Sequence, residues 1–235
     1  MCIICTIPEK ELINLTTIDC RECPNLTTIP STLVNLTELD CSGCQKLTNI
    51  PSTLVNLQLL FCFKCPRLVS IPYTLIKLEI LNCSRCSRLT DIPPTLVKLL
   101  SLTCSSCPLV SNIPSTLVKL QQLSCHGCHI TDIPSTLVNL QTLSCHGCPV
   151  TTIPSTLINL KLLYCWDCPY LYIPFKIKQQ CVGNFVFTGN SHVAIFASKL
   201  KRRLQRIRCK KMTNVLNKEN HFPCVLNELV SSYLF

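Results

Sequence analysis

The sequence has few glycines, few charged residues and no long apolar run. Its 235 residues include five glycines, one tryptophan and 14% charged residues. No apolar stretch reaches the roughly 18 residues that a membrane-spanning helix needs, and no glycine-rich phosphate loop is present. We recognise neither a Ser/His/Asp arrangement nor a pair of catalytic carboxylates, so we expect no enzyme, no cofactor and no metal site.

Positive charge is concentrated in the last quarter of the chain. The formal net charge is +10, but residues 1–174 carry 11 Lys and Arg against 10 Asp and Glu, whereas residues 175–235 carry 11 against 2. Any polyanion binding would therefore belong to the tail. The first eight residues lack the basic segment of a secretory signal, so we expect a reduced, cytoplasmic protein in spite of its 21 cysteines.

What the sequence does contain is a repeat of 20 to 22 residues. The dipeptide Ile-Pro begins at residues 7, 29, 50, 71, 92, 113, 133, 153 and 173. A fixed period of this size predicts a solenoid. Within one unit, Leu39 and Cys41 are two residues apart and share the inward face of a short strand. Glu38 and Asp40 then point outward, and the proline of each dipeptide predicts a loop or 3₁₀ return without a long helix.

One unit, written in register, reads Leu36-x-x-Leu39-x-Cys41-x-x-Cys44-x-x-Leu47-x-x-Ile50-Pro51-x-x-Leu54. This pattern resembles the leucine-rich repeat family, whose core is L-x-x-L-x-L-x-x-N/C-x-L. The resemblance implies an α/β solenoid over residues 1–174, with about eight units, parallel strands on a concave face and short returns. The first cysteine stands at the third leucine of this core and the second at the N/C position. Cysteine at both positions in nearly every unit departs from the usual pattern. This cysteine-rich repeat is similar to the repeat proteins of large amoebal DNA viruses. That resemblance would place the protein in the host cytoplasm.

Most cysteines follow the repeat, since nine Cys-x-x-Cys pairs account for 18 of the 21. A lone pair of this kind is an ordinary zinc or redox signal. Here both cysteines fall at inward positions, so we interpret them as buried structural thiols, the second donating weakly to loop carbonyls. Metal or redox chemistry is the alternative, and it needs accessible thiolates. In the Cys-His-Gly-Cys units, alternation sends His126 and His146 outward, away from the inward thiols.

The outward strand positions form the surface that a leucine-rich repeat protein offers to its ligand. Aromatic residues are favoured anchors at protein interfaces, and solvent disfavours them on an open face. The predicted contact residues on the concave face are Phe61, Phe63, Lys64, Arg85, His126, His146, Tyr164, Trp166 and Asp167. Two alternatives stay open: the tail covers Tyr164 and Trp166 as a cap, or the two histidines sense pH.

The period stops after Ile173-Pro174, and a tail follows. Residues 175–190 alternate enough to predict one or two closing strands or a loop, because a solenoid must cover its terminal core. Residues 191–235 predict a basic helical tail, with eight Lys and Arg between residues 199 and 211. A helix of this kind either caps the solenoid or binds an anionic surface. No aromatic residues interleave the basic run, so we do not expect nucleic acid or a membrane to be the main partner.

Residues 222–234 predict a second amphipathic helix, with Pro223 in its first turn. Its spacing is similar to the opening of an F-box, through Phe222, Pro223, Leu226, Val230 and Leu234. That resemblance implies docking to a Skp1-like subunit. The leading hypothesis is a non-enzymatic interaction module that binds a protein partner on the concave face. The alternatives are a substrate adaptor for a ubiquitin ligase, acting through the C-terminal helix, and an anionic-surface or nucleic-acid binder acting through residues 199–211.

Overall fold

The structure, a computed structural model, describes residues 2–181 and the backbone of residues 185–186. The chain divides into two units, Met1–Gly189 and Asn190–Phe235, and the description below concerns the first. The predicted basic helix and the F-box-like segment, with Pro223, Leu226, Val230 and Leu234, lie outside the described residues.

Each repeat contains one short strand. Two short helices precede the first strand, and a third helix follows the eighth. The described elements are α1 (Ile3–Thr6), α2 (Glu9–Leu12), β1 (Thr17–Asp19), β2 (Glu38–Asp40), β3 (Leu59–Phe61), β4 (Ile80–Asn82), β5 (Ser101–Thr103), β6 (Gln122–Ser124), β7 (Thr142–Ser144), β8 (Leu162–Tyr164), α3 (Phe175–Gln180) and β9 (Phe185–Val186). Among these helices, none has both the length and the apolar character to cross a membrane.

All nine described strands form one parallel sheet in chain order. Each strand pairs with the next without slippage, so that Leu39 lies beside Leu60, and Leu60 beside Leu81. Between strands, the chain returns through successive turns in which Leu54 N–H donates to Pro51 O and Leu57 N–H donates to Leu54 O, at 3.4 and 3.1 Å. The predicted solenoid of parallel strands with short, non-helical returns is confirmed for these residues.

Every unit adds apolar side chains at equivalent inward positions to one continuous core. In the second unit these residues are fully buried: Leu36, Leu39, Cys41, Cys44 and Leu47. The outward neighbours Glu38 and Asp40 are only partly covered, as the alternation of a strand requires. Since a unit cannot bury its apolar face alone, stacking against both neighbours is what stabilises it.

The second cysteine of each interior pair links consecutive units. Cys65 Sγ donates to Cys41 O at 3.2 Å, and Cys86 Sγ donates to Cys62 O at 3.1 Å. The predicted role as a weak donor is therefore confirmed, although the acceptor is the carbonyl of the preceding unit's first cysteine rather than a loop carbonyl. A hydrogen bond with the Cys86 thiol, together with burial, raises the pKa of Cys62, which makes it unreactive.

The two ends of the solenoid depart from the sequence-based predictions. Residues 3–12 form α1 and α2 instead of a truncated repeat, and Cys5 is exposed rather than inward. At the other end, residues 175–180 are helical where a strand or loop was predicted, and β9 is the strand that extends the sheet beyond β8. Ile177 in α3 and its C-cap residue Cys181, four residues apart, are both buried, as the helical period allows.

Helix α3 also satisfies backbone groups of the last return. Gln180 Nε2 donates to Leu157 O at 2.7 Å and to Leu160 O at 2.9 Å. In the interior units, the return of the next repeat occupies the place that α3 takes here. Leu157 O also accepts the Leu160 N–H at 3.1 Å, so the amide side chain adds a second donor to Leu157 O and a donor to Leu160 O where the repeat stops.

Candidate functional site

The strand face, defined here as the outward side chains of β1–β8 and of the Cys-x-x-Cys turns that follow them, is arranged in four columns. The first and third residues of each strand form two columns, and the two residues between the cysteines form the others. Because the strands are parallel and in register, equivalent side chains recur about every 4.8 Å along a column. Side chains at equivalent positions of neighbouring units can therefore contact each other.

In the units of β1–β8, the residue before the second cysteine has a left-handed backbone. Glycine occupies this position three times, at φ of +67° to +78°, and other residues occupy it at +52° to +58°. The column consists of Glu22, Gly43, Lys64, Arg85, Ser106, Gly127, Gly147 and Asp167. Residues other than glycine pay roughly 1–2 kcal/mol for this conformation. Sequence reasoning missed this strain, although the recurrent glycine at one repeat position was a signal for it.

At its N-terminal end the strand face is acidic and internally paired. Arg21 Nη2 lies 2.6 Å from Asp19 Oδ2, and Arg21 Nε lies 3.6 Å from Asp40 Oδ2. Hydrogen bonds from the Arg21 side chain and amide hold the pKa of Asp19 below its ordinary value. These carboxylates already have a cationic partner, so they are weaker candidates for binding a basic ligand.

The second feature of the strand face is a phenylalanine between two cations. Phe63 is half-buried, with Lys64 Nζ 5.1 Å and Arg85 Cζ 5.6 Å from its ring centroid. Both distances fall within the range of cation–π attraction. Phe61 lies on the same face in β3 and is also half-buried. The geometry brings together four of the residues predicted from sequence: Phe61, Phe63, Lys64 and Arg85.

Between this group and the C-terminal units runs a chain of serine hydroxyls. Ser84 and Ser105 are buried, and Ser105 N–H donates to Ser84 Oγ at 3.1 Å. Ser105 Oγ and Ser124 Oγ are 2.9 Å apart, and Ser124 Oγ lies 3.3 Å from His126 Nδ1. This network fixes the orientation of the first histidine ring, and sequence reasoning did not find it.

The third feature is a column of stacked rings. The centroids of His126 and His146 are 4.2 Å apart with planes 11° from parallel, and those of His146 and Trp166 are 3.8 Å apart at 19°. Tyr164 meets Trp166 edge-on, with centroids 6.2 Å apart. Ser144 Oγ lies 3.1 Å from His146 Nδ1 and positions that ring. Four residues predicted separately from sequence are thus one cluster, beside which Asp167 is exposed.

Burial favours neutral imidazoles in this column. It lowers the pKa of His126, and Arg85 lowers it further. Burial also lowers the pKa of His146, assisted by His126 and opposed by Asp167. Within the described residues no carboxylate hydrogen bonds to either imidazole, so the Ser–His contacts lack the group that orients a catalytic histidine.

A shallow depression of about 370 Å³ lies over β5–β8, next to the stacked rings. Its walls combine rings with small hydroxyl side chains, among them Thr103, Ser124, Ser144, His146, Tyr164 and Trp166. Such a surface offers apolar contact and neutral hydrogen-bond groups, the combination found at protein interfaces. Whether these residues bind a partner stays a prediction.

The thiols with metal-binding geometry lie at the N-terminal end, away from the predicted contact residues. The potential ligand atoms of Cys2, Cys5 and Cys23 all lie within 4.8 Å of one another. Burial raises the pKa of Cys23, but hydrogen bonds from the Cys2 amide and thiol outweigh it, and the pKa is lowered to about 6. These cysteines belong to two separate pairs in the sequence, both predicted to point inward, so their convergence was not predicted.

Comparison with known proteins agrees with the repeat architecture. The Leucine Rich Repeat family profile matches residues 35–57, and no curated protein matches the sequence significantly. The leucine-rich repeat domain of the type III effector XCV3220 (XopL) is 19% identical, with a TM-score of 0.50, over 78% of this chain and 64% of that chain. The functional domain of InlJ from Listeria monocytogenes, which includes a cysteine ladder, is 18% identical, with a TM-score of 0.45, over 79% of this chain and 56% of that chain.

A plant receptor structure is similar over a smaller share of its length. The Arabidopsis receptor kinase HAESA, in complex with the peptide hormone IDA and the co-receptor SERK1, is 23% identical, with a TM-score of 0.45, over 71% of this chain and 37% of that chain. The chain thus spans less than two thirds of the length of all three structures. The recurring motif, the unslipped parallel register and the likeness to the effector domain lead to one conclusion: the described residues have the leucine-rich repeat fold.

Proposed function

We propose that this chain is a non-enzymatic interaction module that binds a protein partner on its strand face. Repeat solenoids commonly use an extended concave surface in this way. The observation that carries the proposal is the cluster of His126, His146, Trp166 and Tyr164, in which four half-exposed rings come from three adjacent units. Preorganised aromatic rings are efficient anchors because they present large contact area with little entropy left to lose.

The group around Phe63 supplies a second anchoring point. Lys64 and Arg85 keep left-handed backbones that glycine would adopt without cost, and both place a cation near the Phe63 ring. Strain of this kind is commonly retained at functional positions. Between Phe63 and His126 lie three strand spacings, about 14 Å. The partner that fits is an extended segment with two apolar residues, one for the Phe63 ring and one for the cluster that begins at His126. It also carries an acidic residue near Lys64 and Arg85.

A random-peptide display library, selected on the full-length protein, tests this proposal. Binding of the selected peptides is then measured by calorimetry against Phe63→Ser and His146→Ser. We expect each variant to weaken binding at least tenfold, about 1.4 kcal/mol. The matched control is Val97→Ser, an exposed apolar residue on a return, which should leave affinity unchanged.

Two outcomes would contradict the proposal. Peptides that bind both strand-face variants as tightly as the unmodified protein would place the site elsewhere. Equal weakening by Val97→Ser would indicate nonspecific apolar adhesion. Unfolding in urea is measured for each variant, because a surface substitution should change the free energy of unfolding by less than about 1 kcal/mol. A larger loss at Phe63 would show that the ring is core and not an anchor.

A further inference from the structure

Three thiols meet where the N-terminal helix contacts the first repeat. Cys2 Sγ lies 3.7 Å from Cys5 Sγ, and Cys5 Sγ lies 3.6 Å from Cys23 Sγ. The N-cap position of α1 and its third residue supply Cys2 and Cys5, while Cys23 ends the turn after β1. The cluster therefore joins two segments that are about 20 residues apart in sequence.

Cys23 differs from the other second-position cysteines of the described repeats. Seven of them donate to the carbonyl of the preceding unit's first cysteine: Cys44, Cys65, Cys86, Cys107, Cys128, Cys148 and Cys168. Cys23 belongs to the first unit, so the strand that would carry its acceptor is replaced by α1. Its thiol faces two other thiols instead of a carbonyl.

The spacing of these sulfurs matches that of a metal centre. In a tetrahedral site with Zn–S bonds of about 2.3 Å, neighbouring sulfurs are about 3.8 Å apart. The two measured separations are 3.7 and 3.6 Å, and the third pair lies within 4.8 Å. A small movement of one side chain would complete three corners of the tetrahedron.

We propose that Cys2, Cys5 and Cys23 bind one zinc ion, with water as the fourth ligand. Thiolate sulfur favours zinc over hard cations such as Mg²⁺ and Ca²⁺. A depression of about 330 Å³ beside the cluster, bordered by Arg21 and Glu22, leaves room for the water. All three sulfurs are thiolates in the bound state, and the protons that binding displaces pass to solvent. This site is separate from the strand-face cluster that carries the proposed function.

Zinc at this position would fasten the N-terminal cap of the solenoid. The side chains of Ile3, Ile4 and Ile7 pack against the end of the core but are only partly buried. Terminal units of a repeat array need a cover, and a helix of four residues has little stability of its own. A metal that binds the folded chain and not the unfolded chain raises the unfolding temperature.

The test uses full-length protein, purified under reducing conditions, stripped of metal and titrated with Co²⁺ and then with Zn²⁺. We expect one metal per chain, a thiolate-to-cobalt charge-transfer band and a zinc-dependent rise in the unfolding temperature. Cys5→Ser should weaken zinc binding at least tenfold and abolish that rise. Because Cys5 is exposed, this variant should fold, which circular dichroism checks. The matched control, Cys209→Ser with Cys224→Ser, should keep the site.

Several results would overturn the inference. These are absence of stoichiometric metal in the reduced protein, equal affinity in Cys5→Ser, and loss of the metal in the Cys209→Ser/Cys224→Ser control. Mass spectrometry that finds a Cys2–Cys5 or Cys5–Cys23 disulfide in metal-free protein, with no zinc uptake after reduction, would identify a thiol pair in place of a metal site. The strand-face peptide assay is unaffected by any of these results.

Discussion

The imidazole of His146 lies nearly flat against the indole of Trp166, with ring centroids 3.8 Å apart. His126 stacks on His146 in turn, at 4.2 Å. The parallel register explains this column, because it brings equivalent positions of consecutive units to about 4.8 Å, close to the stacking distance of planar rings. A repeat that places rings at one position in three consecutive units therefore builds an extended aromatic surface.

The first prediction concerns the pH dependence of stability. The folded pKa values of His126 and His146 are below the ordinary value of 6.5, chiefly through burial. The unfolded chain therefore takes up protons at a higher pH than the folded chain. The contribution of the two histidines to the free energy of unfolding should be constant above about pH 7.5, fall as the pH drops through about 6.5, and level off below the folded pKa values.

Urea unfolding between about pH 7.5 and pH 5 measures this dependence. The double variant His126→Gln/His146→Gln should have a flatter profile than the unmodified protein. Arg85 disfavours protonation of His126, whereas His126 disfavours and Asp167 favours protonation of His146. Trp166, the single tryptophan, reports it through fluorescence. An unchanged pH profile in the double variant would contradict the prediction.

The second prediction concerns the left-handed turn positions. Lys64→Gly should raise the free energy of unfolding by roughly 0.5–1 kcal/mol, because glycine adopts φ near +57° without steric cost. The same change removes a cation from the Phe63 ring and should weaken peptide binding. Denaturant unfolding and calorimetry measure the two effects.

Glycine-to-alanine changes in the same column provide the control. Gly43→Ala should destabilise more than Gly147→Ala, since a Cβ at Gly43 would lie 2.9 Å from Glu22 Cγ, whereas at Gly147 the nearest atom is 3.9 Å away. Destabilisation by Lys64→Gly would show that backbone strain does not govern this position. A reversed order of the two alanine variants would show that the Cβ contact with Glu22 does not determine their cost.

The third prediction concerns thiol reactivity. In metal-free, reduced protein, an alkylating reagent should label Cys5 first, because it is exposed, and should label interior cysteines only after denaturation. Thiolate content does not distinguish these sites, because the pKa values of exposed Cys5 and buried Cys165 are both raised to about 12, chiefly through desolvation. Accessibility to the reagent does distinguish them. Mass spectrometry of timed samples identifies the labelled residues. Labelling of Cys62 or Cys83 at the rate of Cys5 would show that the core opens readily.

The fourth prediction concerns a threonine ladder on the returns. Thr95 Oγ1 donates to Tyr73 O at 2.6 Å, and Thr136 Oγ1 donates to Ser115 O at 2.6 Å, so the same bond links unit to unit. Thr95→Val should lower the free energy of unfolding by about 1 kcal/mol because it leaves the carbonyl without this donor. Thr95→Ser keeps the hydroxyl and should cost less. Equal losses in the two variants would assign the effect to packing and not to the hydrogen bond.

The sequence by itself determined the interior of the solenoid. The period fixes which residues are neighbours, so Leu39 has to meet Leu60, and alternation within three-residue strands then decides which side chains are buried. The outward positions of Phe63, His126 and Trp166 follow from the same rule. The pairs of cysteines could be assigned to the core for the same reason, except where the repeat begins.

Only the tertiary structure decided how side chains on the strand face combine and how the ends are covered. Stacking of His146 on Trp166, and the reach of Arg85 to Phe63, depend on rotamers that no period specifies. At the ends each unit loses one neighbour, so local sequence and the last exposed backbone groups determine the conformation. That is why Cys23 meets the thiols of α1 instead of a carbonyl, and why residues 175–180 form a helix where alternation predicted a strand or loop.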